Sequence, residues 1–262
     1  MSNIIHGLSA ADYHSREEVS KSDLDLLARS PAHLKARSRK ETKAMTFGTA
    51  FHCALLEPKR FEQDYAICPD FGDCRKAANK EAKILWLETN IDKITITAEE
   101  VETIIRMTGS ALVHDAAAKW IDDVEFTEVS IIAENEGVAV RSRLDGLTSG
   151  RNIVDVKTTD DASPAAFAKS AWNYRYHVQN AFYIDNAHRA GIDARRMVFI
   201  AIEKDPPFAV AVYELDEASV QLGRETYKRQ LAEFSECQRF NHWPAYSSRV
   251  QTLSLPEWAF RK

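Results

Sequence analysis

Two aspartates and a lysine interrupt the apolar strand pattern of RSRLDGLTSGRNIVDVKTT, residues 141–159. Asp145 and Asp155 fall on what this pattern predicts to be adjacent strands, and Lys157 follows two residues after the second aspartate. Because strand side chains alternate between faces, Asp155 and Lys157 point to one side and the flanking valines to the other. Burying such charges against apolar residues costs free energy. A site that binds a divalent metal ion and polarises a phosphate would account for that cost.

Each of the three residues also has a purely structural interpretation. Asp145 precedes Gly146 and could be an acid at the end of a hairpin, and Lys157 could pair with a neighbouring acid. Asp155 lies inside a strand pattern, where aspartate is disfavoured, so a structural role explains it less well. The spacing D-x-K is common by chance, and the combination of the three residues is more specific than any one of them.

The composition bounds the class of protein. The chain has 262 residues, 45% hydrophobic and 28% charged, which is typical of a soluble globular domain with a sizeable core. It has no apolar run of about 18 residues and no secretion signal, so we expect no membrane association. The four cysteines show no CxxC spacing, which favours reduced thiols in a cytoplasmic protein. The formal net charge of -5 argues against general binding to nucleic acids but allows a local basic surface.

Helical patterns dominate the N-terminal part of the chain. Residues 16–43 are predicted to be helical, with Ser22 as an N-cap. Residues 45–57 are predicted to form a buried helix, and residues 74–121 several more. Among these, Thr97 and the glutamate three residues later match a capping box.

The first helical segment carries the most basic part of the chain. Its charges could form a solvated helix face or a surface that contacts phosphates, and the sequence leaves both open. The basic residues are Arg29, Lys35, Arg37, Arg39, Lys40 and Lys43.

Strand patterns begin at residue 124. The segment VEFTEVSIIAENEGVAVRSRLDGL is predicted to be a hairpin that turns at Glu-Asn-Glu-Gly, and NIVDVKTT a central strand. A helix is expected from about Pro164 to His188, ended by Gly191. Two further strands are expected on either side of the turn at Asp205-Pro206-Pro207. A last helix is expected from about Asp216 to Phe240.

This order of elements predicts an α/β fold in a single domain spanning residues 1–262. Residues 1–123 would be a mainly helical N-terminal region, residues 124–240 an α/β catalytic core, and residues 241–262 a C-terminal arm. We expect this arm to be irregular but packed. Its aromatic and proline residues include Trp243, Pro244, Tyr246 and Trp258.

Metal-assisted phosphodiester hydrolysis would use the charged residues of the strand pair. Mg²⁺ prefers oxygen ligands in octahedral geometry. Asp145 and Asp155 can supply carboxylate ligands, with the carbonyl of Val156 as a third. Lys157 could orient or activate the attacking water, or neutralise charge that develops on the phosphate. Neighbouring groups can tune the pKa of a lysine more readily than that of an arginine.

Several segments of the chain resemble a known nuclease family. They are YHSREEVSKSDLDLLARSPAHLKA, MTFGTAFHCALLEP, LDG, IVDVKTT and HVQNAFYI. In order and spacing, these segments resemble the RecB-like branch of the PD-(D/E)XK nuclease superfamily, and within it the RecE-type exonucleases (the exonuclease VIII nuclease domain). The resemblance extends from about Tyr13 to the C-terminal helix. It implies a restriction-endonuclease-like core, with a central mixed sheet flanked by helices and an N-terminal helical region.

The resemblance implies a set of metal ligands and a catalytic lysine. The family's ligand positions fall on His52, Asp145 and Asp155, and its lysine falls on Lys157. Taken alone, the pattern around His52 predicts a core histidine on an apolar helix, so its role as a ligand depends on the resemblance.

Three further catalytic residues are implied in the same way. The family's Q-x-x-x-Y motif falls on Gln179 and Tyr183, which share one helix face and could contact the scissile strand or orient the lysine. Ordinary helix amphipathicity is the alternative explanation of this pair. An acid often found in RecB-like nucleases falls on Glu128, with Glu125 and Glu134 as nearby alternatives.

As a function, the resemblance implies a 5′-to-3′ exodeoxyribonuclease that depends on Mg²⁺ or Mn²⁺. It would act on the ends of linear double-stranded DNA and leave 3′ single-stranded overhangs for annealing-type recombination. A homo-tetrameric ring and a single-strand annealing protein as partner are implied as well. A PD-(D/E)XK endonuclease and a catalytically silent DNA-end-binding protein are the alternatives. ATP-driven unwinding is not expected, because the chain has no GxxxxGK[ST] motif.

Overall fold

The computed structural model describes residues 3–38 and 42–260. Arg39 and Lys40, which belong to the predicted basic segment, lie outside these ranges. Among the described helices, none is long and apolar enough to cross a membrane.

The described helices are α1 (Ala10–Ser15), α2 (Lys21–Arg29), α3 (Pro31–Lys35), α4 (Lys43–Leu56), α5 (Pro58–Asp64), α6 (Ala77–Thr89), α7 (Ala98–Val113), α8 (Asp115–Asp122), α9 (Pro164–Asn173), α10 (Tyr176–Arg189) and α11 (Glu217–Phe240), with a 3-10 helix at Glu257–Phe260. The strands are β1 (Asn3–Ile5), β2 (Tyr65–Cys68), β3 (Ile94–Thr97), β4 (Val124–Asn135), β5 (Val138–Thr148), β6 (Ile153–Thr159), β7 (Met197–Glu203) and β8 (Val210–Glu214).

Within the described residues, six strands form one mixed sheet in the order β1-β4-β5-β6-β7-β8. Neighbouring strands are antiparallel except β6 and β7, which run parallel. The helices α9 and α10 supply the crossover connection that a parallel pair requires. β2 and β3 form a separate two-stranded parallel sheet. The predicted hairpin is confirmed as β4 and β5, and the predicted central strand as β6.

β6 separates two hydrophobic cores. Ile153 packs in one core with Phe182 of α10. Val154 and Val156 pack in the other core with Ile104 of α7. Burying a side chain of this size contributes roughly 1.5–3 kcal/mol to stability. The alternation of side chains therefore sends the aspartate and the lysine of this strand toward α10.

The start of α2 differs from its prediction. Its N-cap is Ser20, whose side chain accepts from Asp23 N, while the carboxylate of Asp23 accepts from Ser20 N. This reciprocal capping box satisfies two donors, and Ser22 lies inside the helix instead. The capping box predicted at Thr97 is confirmed at the start of α7.

The helix predicted from Pro164 to His188 is broken into α9 and α10. Arg175 between them has a φ of 58°, in the left-handed region that few non-glycine residues adopt. Its guanidinium donates to Leu24 O at 2.9 Å and to Gln230 Oε1 at 2.6 Å. Because these partners are on α2 and α11, tertiary contacts stabilise a break that no local glycine or proline signals.

The C-terminal arm is less packed than predicted. Trp243 packs edge-on against Phe234 at 5.9 Å, and Ala32 N donates to Pro244 O at 3.0 Å. Tyr246 also packs against His33 at 5.8 Å and accepts a hydrogen bond from Arg29. Residues 247–256 are exposed, with Val250 103% exposed. The side chain of Trp258 lies outside what the structure describes. Contacts close to the end of α11 therefore anchor the arm, and its apolar residues further on remain at the surface.

Candidate active site

β5 and β6 separate where the predicted site aspartates lie. Their ladder contains two residue pairs, and the one nearer the site joins Gly146 to Val154. Beyond that pair, Asp145 Oδ2 accepts a hydrogen bond from Val156 N at 2.9 Å. The carboxylate therefore satisfies a donor that a neighbouring strand would satisfy in a continuous ladder, and it lies in the opening between the two strands.

Asp155, Lys157 and Gln179 contact one another in a closed triad. Lys157 Nζ lies 2.7 Å from Asp155 Oδ2 and donates to Gln179 Oε1 at 3.1 Å. Gln179 Nε2 donates to Asp155 Oδ1. Since the ammonium can only donate and the carboxylate can only accept, both ends of the Gln179 amide have a fixed orientation. The ring of Tyr176 lies 4.6 Å from Lys157 Nζ and adds a cation–π contact.

α4 brings His52 to the other aspartate. His52 Nδ1 lies 3.4 Å from Asp145 Oδ2, and its ring also contacts the main chain of Val156. The helix is held there by its buried residues, among them Phe51. Burial lowers the pKa of His52, so its ring is neutral at neutral pH and can offer a lone pair.

Glu128 approaches the same opening from β4. Its φ of 52° is left-handed, a conformation that costs a non-glycine residue roughly 1–2 kcal/mol. Arg143 Nε donates to its carboxylate. Burial and the charge of Asp145 raise the pKa of Glu128, against the opposing effect of Arg143. Glu125 and Glu134 are exposed, so Glu128 is the acid that the structure brings to Asp145.

The electrostatics of the opening favour an added cation. Burial and repulsion by Asp155 raise the pKa of Asp145 to about 7, against the attraction of Lys157. Burial acts to lower the pKa of Lys157, but the two aspartates outweigh it and raise that pKa above its ordinary value. Lys157 is therefore a charged ammonium at neutral pH. A divalent cation beside the aspartates would relieve the repulsion that raises the pKa of Asp145.

The donor atoms are of the kind that a hard divalent cation binds. In the described part of the chain, Asp155 Oδ2 is buried without an aligned hydrogen-bond donor, although Lys157 Nζ lies 2.7 Å away. No three His, Cys, Asp or Glu side chains of the described residues are grouped closely enough to hold a metal ion by themselves. Mg²⁺ usually binds to one or two carboxylates, with waters and substrate phosphates as its other ligands. Asp145, Asp155, His52 and the Val156 carbonyl fit a cation bound in that way.

Tyr183 has a different environment from Gln179. It lies one turn further along α10 and packs against the hydrophobic core, where burial raises its pKa well above the ordinary value. Among the described residues it makes no side-chain hydrogen bond with the predicted ligands.

Two contacts of the site were not predicted. Arg143 stands two residues before Asp145 on β5, a spacing that could have indicated it, whereas no sequence signal marks Tyr176.

Comparisons with known proteins agree with this architecture. A family model described as a PDDEXK-like domain of unknown function (DUF3799) matches residues 20–256. A solved structure from Eubacterium rectale, described provisionally as an exonuclease, has 12% sequence identity and a TM-score of 0.64, covering 98% of this chain and 99% of that chain. At this identity the likeness shows the fold. The solved structure named SSO0001 has 18% identity over 82% of this chain and 90% of that chain, but its TM-score of 0.29 carries no argument. No curated protein matches the chain.

Together, the family match and the E. rectale structure confirm the predicted PD-(D/E)XK fold class. The RecE-type specificity and the roles of the site residues stay predictions. The chain belongs to the DUF3799 family of PDDEXK-like domains.

Proposed function

We propose that this chain is a metal-dependent nuclease that hydrolyses phosphodiester bonds at the opening between β5 and β6. The observation that carries the proposal is the convergence of two aspartates on a charged lysine, with Lys157 Nζ 2.7 Å from Asp155 Oδ2. The PDDEXK-like family match supports it, because the fold and the site agree. A structural ion pair alone would not account for the second acid, Asp145, whose pKa is raised to about 7 by burial and by repulsion from Asp155.

The site residues would have two functions, which are binding the cation and donating hydrogen bonds to the reacting groups. Asp145 and Asp155, with His52 and the Val156 carbonyl, would hold Mg²⁺ or Mn²⁺. When bound, such a cation supplies Lewis-acid activation of water and neutralises charge on the phosphate. Lys157 is already protonated, so it donates hydrogen bonds to the attacking water or to a phosphate oxygen.

The overall reaction balances as hydrolysis. The water oxygen bonds to phosphorus, the bond to the leaving oxygen breaks with its electron pair, and a water proton passes to that oxygen. Gln179 positions Lys157 during this step, because it accepts from the ammonium at 3.1 Å while it donates to Asp155. Glu128, held by Arg143, adds a further negative charge close to Asp145. Tyr183 would support the substrate side of the site from α10.

The narrower proposal is a 5′-to-3′ exonuclease on linear double-stranded DNA that leaves 3′ overhangs. The motif resemblance to RecE-type exonucleases and the provisional exonuclease description of the E. rectale protein motivate it. A homo-tetrameric ring and a single-strand annealing partner belong to the same proposal. In a ring, basic residues could face the DNA while the excess acidic charge of the chain faces outward.

The test compares wild type with Asp155→Asn, and uses Asp193→Asn as a matched control on the surface. Asp193 pairs with Arg195 and its side chain is 76% exposed, so its loss should leave activity unchanged. We expect wild type and the control to release nucleotides from linear duplex in Mg²⁺ but not in EDTA, and Asp155→Asn to release none. If wild type neither releases nucleotides from linear duplex nor cleaves closed circles, in Mg²⁺ or in Mn²⁺, the nuclease proposal fails. Cleavage of covalently closed circles would show an endonuclease, and release from the 3′ end would refute the proposed polarity.

A further inference from the structure

A basic groove and the catalytic lysine both adjoin the junction of α9 and α10. It encloses about 790 Å³ between α2, α3, the junction of α9 and α10, and α11. Its charged and aromatic walls are formed by Arg29, Trp172, Arg175, His177, Arg229 and Glu233. Asp25 pairs with Arg175, so Arg29 and Arg229 face Glu233 as the remaining charges of the groove, whereas the whole chain has a formal net charge of -5. The groove is therefore a local positive surface on an acidic protein.

Two flat aromatic rings are exposed, one in the groove and one beside it. Trp172 is 64% exposed, and its ring stacks on His177 with centroids 5.4 Å apart and an angle of 9° between the planes. Tyr174, two residues later, borders the groove without lining it, is 63% exposed and stacks on Tyr176 with centroids 5.8 Å apart. The stacked imidazole supports one face of the Trp172 indole and restrains the ring. Neither Trp172 nor Tyr174 belongs to a hydrophobic core, so core packing does not account for an aromatic residue at either position.

One short segment of chain borders both the groove and the catalytic lysine. Tyr176, two residues after Tyr174, places its ring 4.6 Å from Lys157 Nζ. Lys21 Nζ donates to Tyr174 O at 2.6 Å and fixes the same segment to α2. A nucleic acid strand that extends from Lys157 along this segment would therefore meet the exposed rings of Tyr174 and Trp172.

We infer that the groove binds single-stranded DNA next to the scissile phosphate, with Trp172 in the groove and Tyr174 between the groove and the site stacking on unpaired bases. Arg29, which makes one long hydrogen bond of 3.4 Å to Tyr246 OH, and Arg229 are exposed and would contact the phosphates. Arg175 is held by Leu24 and Gln230 and is ion-paired with Asp25. Stacking selects single strands, because the faces of bases inside a duplex are already covered by their neighbours. This inference rests on the proposed nuclease function. It also assigns a phosphate-contacting role to Arg29, one of the basic residues for which the sequence left two interpretations open.

A binding assay in EDTA tests the groove without cleavage. We would measure the fluorescence anisotropy of a labelled twelve-nucleotide oligothymidylate with wild type, Trp172→Ala, Trp172→Phe and Phe240→Ala. Phe240 is 67% exposed and does not line the groove, so its variant is the matched control. Trp172→Ala should weaken binding about tenfold, which corresponds to the loss of one stacked base. Trp172→Phe should retain most of the affinity, because it keeps an aromatic face.

The salt dependence tests the arginines. Each phosphate contact to a single strand contributes about -0.7 to the slope of log K against log salt concentration. The double variant Arg29→Gln/Arg229→Gln should therefore flatten the slope by about 1.4. In the nuclease assay, Trp172→Ala should raise KM and leave kcat nearly unchanged, since Trp172 makes no contact with the site aspartates.

The outcomes separate this inference from the nuclease proposal. If wild type does not bind the oligonucleotide, or if Trp172→Ala binds as tightly as wild type, the inference is overturned while nuclease activity can still be present. An unchanged salt slope in the double variant overturns the assignment of the arginines. If the oligonucleotide binds as expected but neither linear nor circular DNA is cleaved in Mg²⁺ or Mn²⁺, the nuclease proposal fails and the groove stands as a binding site.

Discussion

A methyl group at position 223 has no space between α11 and α10. An added Cβ on Gly223 would lie 2.0 Å from His177 O, 2.5 Å from His177 C and 3.0 Å from Val178 N. These are main-chain atoms, so no side chain can rotate away to make room. Carbon–oxygen contacts between packed backbones are about 3.3 Å, so α11 would have to move by about 1.3 Å.

The expected cost of Gly223→Ala follows from two opposing effects. Overpacking costs about 1–3 kcal/mol and occasionally more, and contact with backbone on one side favours the upper end. Alanine gains about 1 kcal/mol over glycine in a helix interior. We therefore expect the free energy of unfolding to fall by about 2 kcal/mol, which lowers Tm by roughly 4–8 °C.

Gly109→Ala is the matched control, since Gly109 lies inside α7 with nothing within 4 Å of an added Cβ. This substitution should raise Tm by about 2–4 °C, so the same chemical change is expected to act in opposite directions at the two positions. Differential scanning calorimetry measures both. A Gly223→Ala protein that melts at or above the Tm of wild type would refute the packing argument.

The displacement should also reach the site, because α10 carries Gln179. A misplacement of about 1 Å can cost roughly 100-fold in rate, so kcat of Gly223→Ala should fall while kcat of Gly109→Ala is unchanged. Equal kcat values would show that the position of α10 does not limit the reaction.

Three further substitutions test individual contacts. Lys157→Arg should lower kcat by about 100-fold, because a planar guanidinium cannot replace a compact ammonium between Asp155 and Gln179. A Lys157→Arg enzyme with the kcat of wild type would contradict this. Gln179→Ala should lower kcat about tenfold, since Lys157 keeps Asp155 as a partner but loses the amide that orients it. An unchanged kcat would show that Gln179 does not position Lys157. Thr97→Ala should lower the free energy of unfolding by about 1 kcal/mol in a urea titration and leave kcat unchanged, because it removes the cap of α7, whose side-chain hydrogen bonds are with Glu100 and not with the site residues. A Thr97→Ala protein as stable as wild type would show that the cap is not needed.

The parts of the fold that local chemistry determines could be predicted. The hairpin of β4 and β5 follows from β-branched residues and a turn that ends in Gly137, whose φ is 75°. The shared face of Asp155 and Lys157 follows from strand alternation alone, and the structure shows their ion pair at 2.7 Å. These features depend on neighbours within a few residues, which the sequence displays directly.

Features that depend on distant partners could not be predicted from local patterns. The break at Arg175 is stabilised by Leu24 and Gln230, which are far away in sequence. His52 has the local pattern of a core histidine, and only the packing of α4 brings it 3.4 Å from Asp145. Whether His52 binds a metal ion stays a prediction, because its position shows proximity and not ligation.

The hydrogen bond from Val156 N to Asp145 gives this acid a second reason to be retained. Its carboxylate replaces a main-chain acceptor at the point where the ladder of β5 and β6 ends. A descendant of this chain that lost catalysis would still leave Val156 N without its acceptor on replacing Asp145, whereas Asp155 could change without breaking that hydrogen bond. Survival of Asp145 in a diverged relative would therefore be poor evidence for retained activity, and the state of position 155 would be the more informative marker.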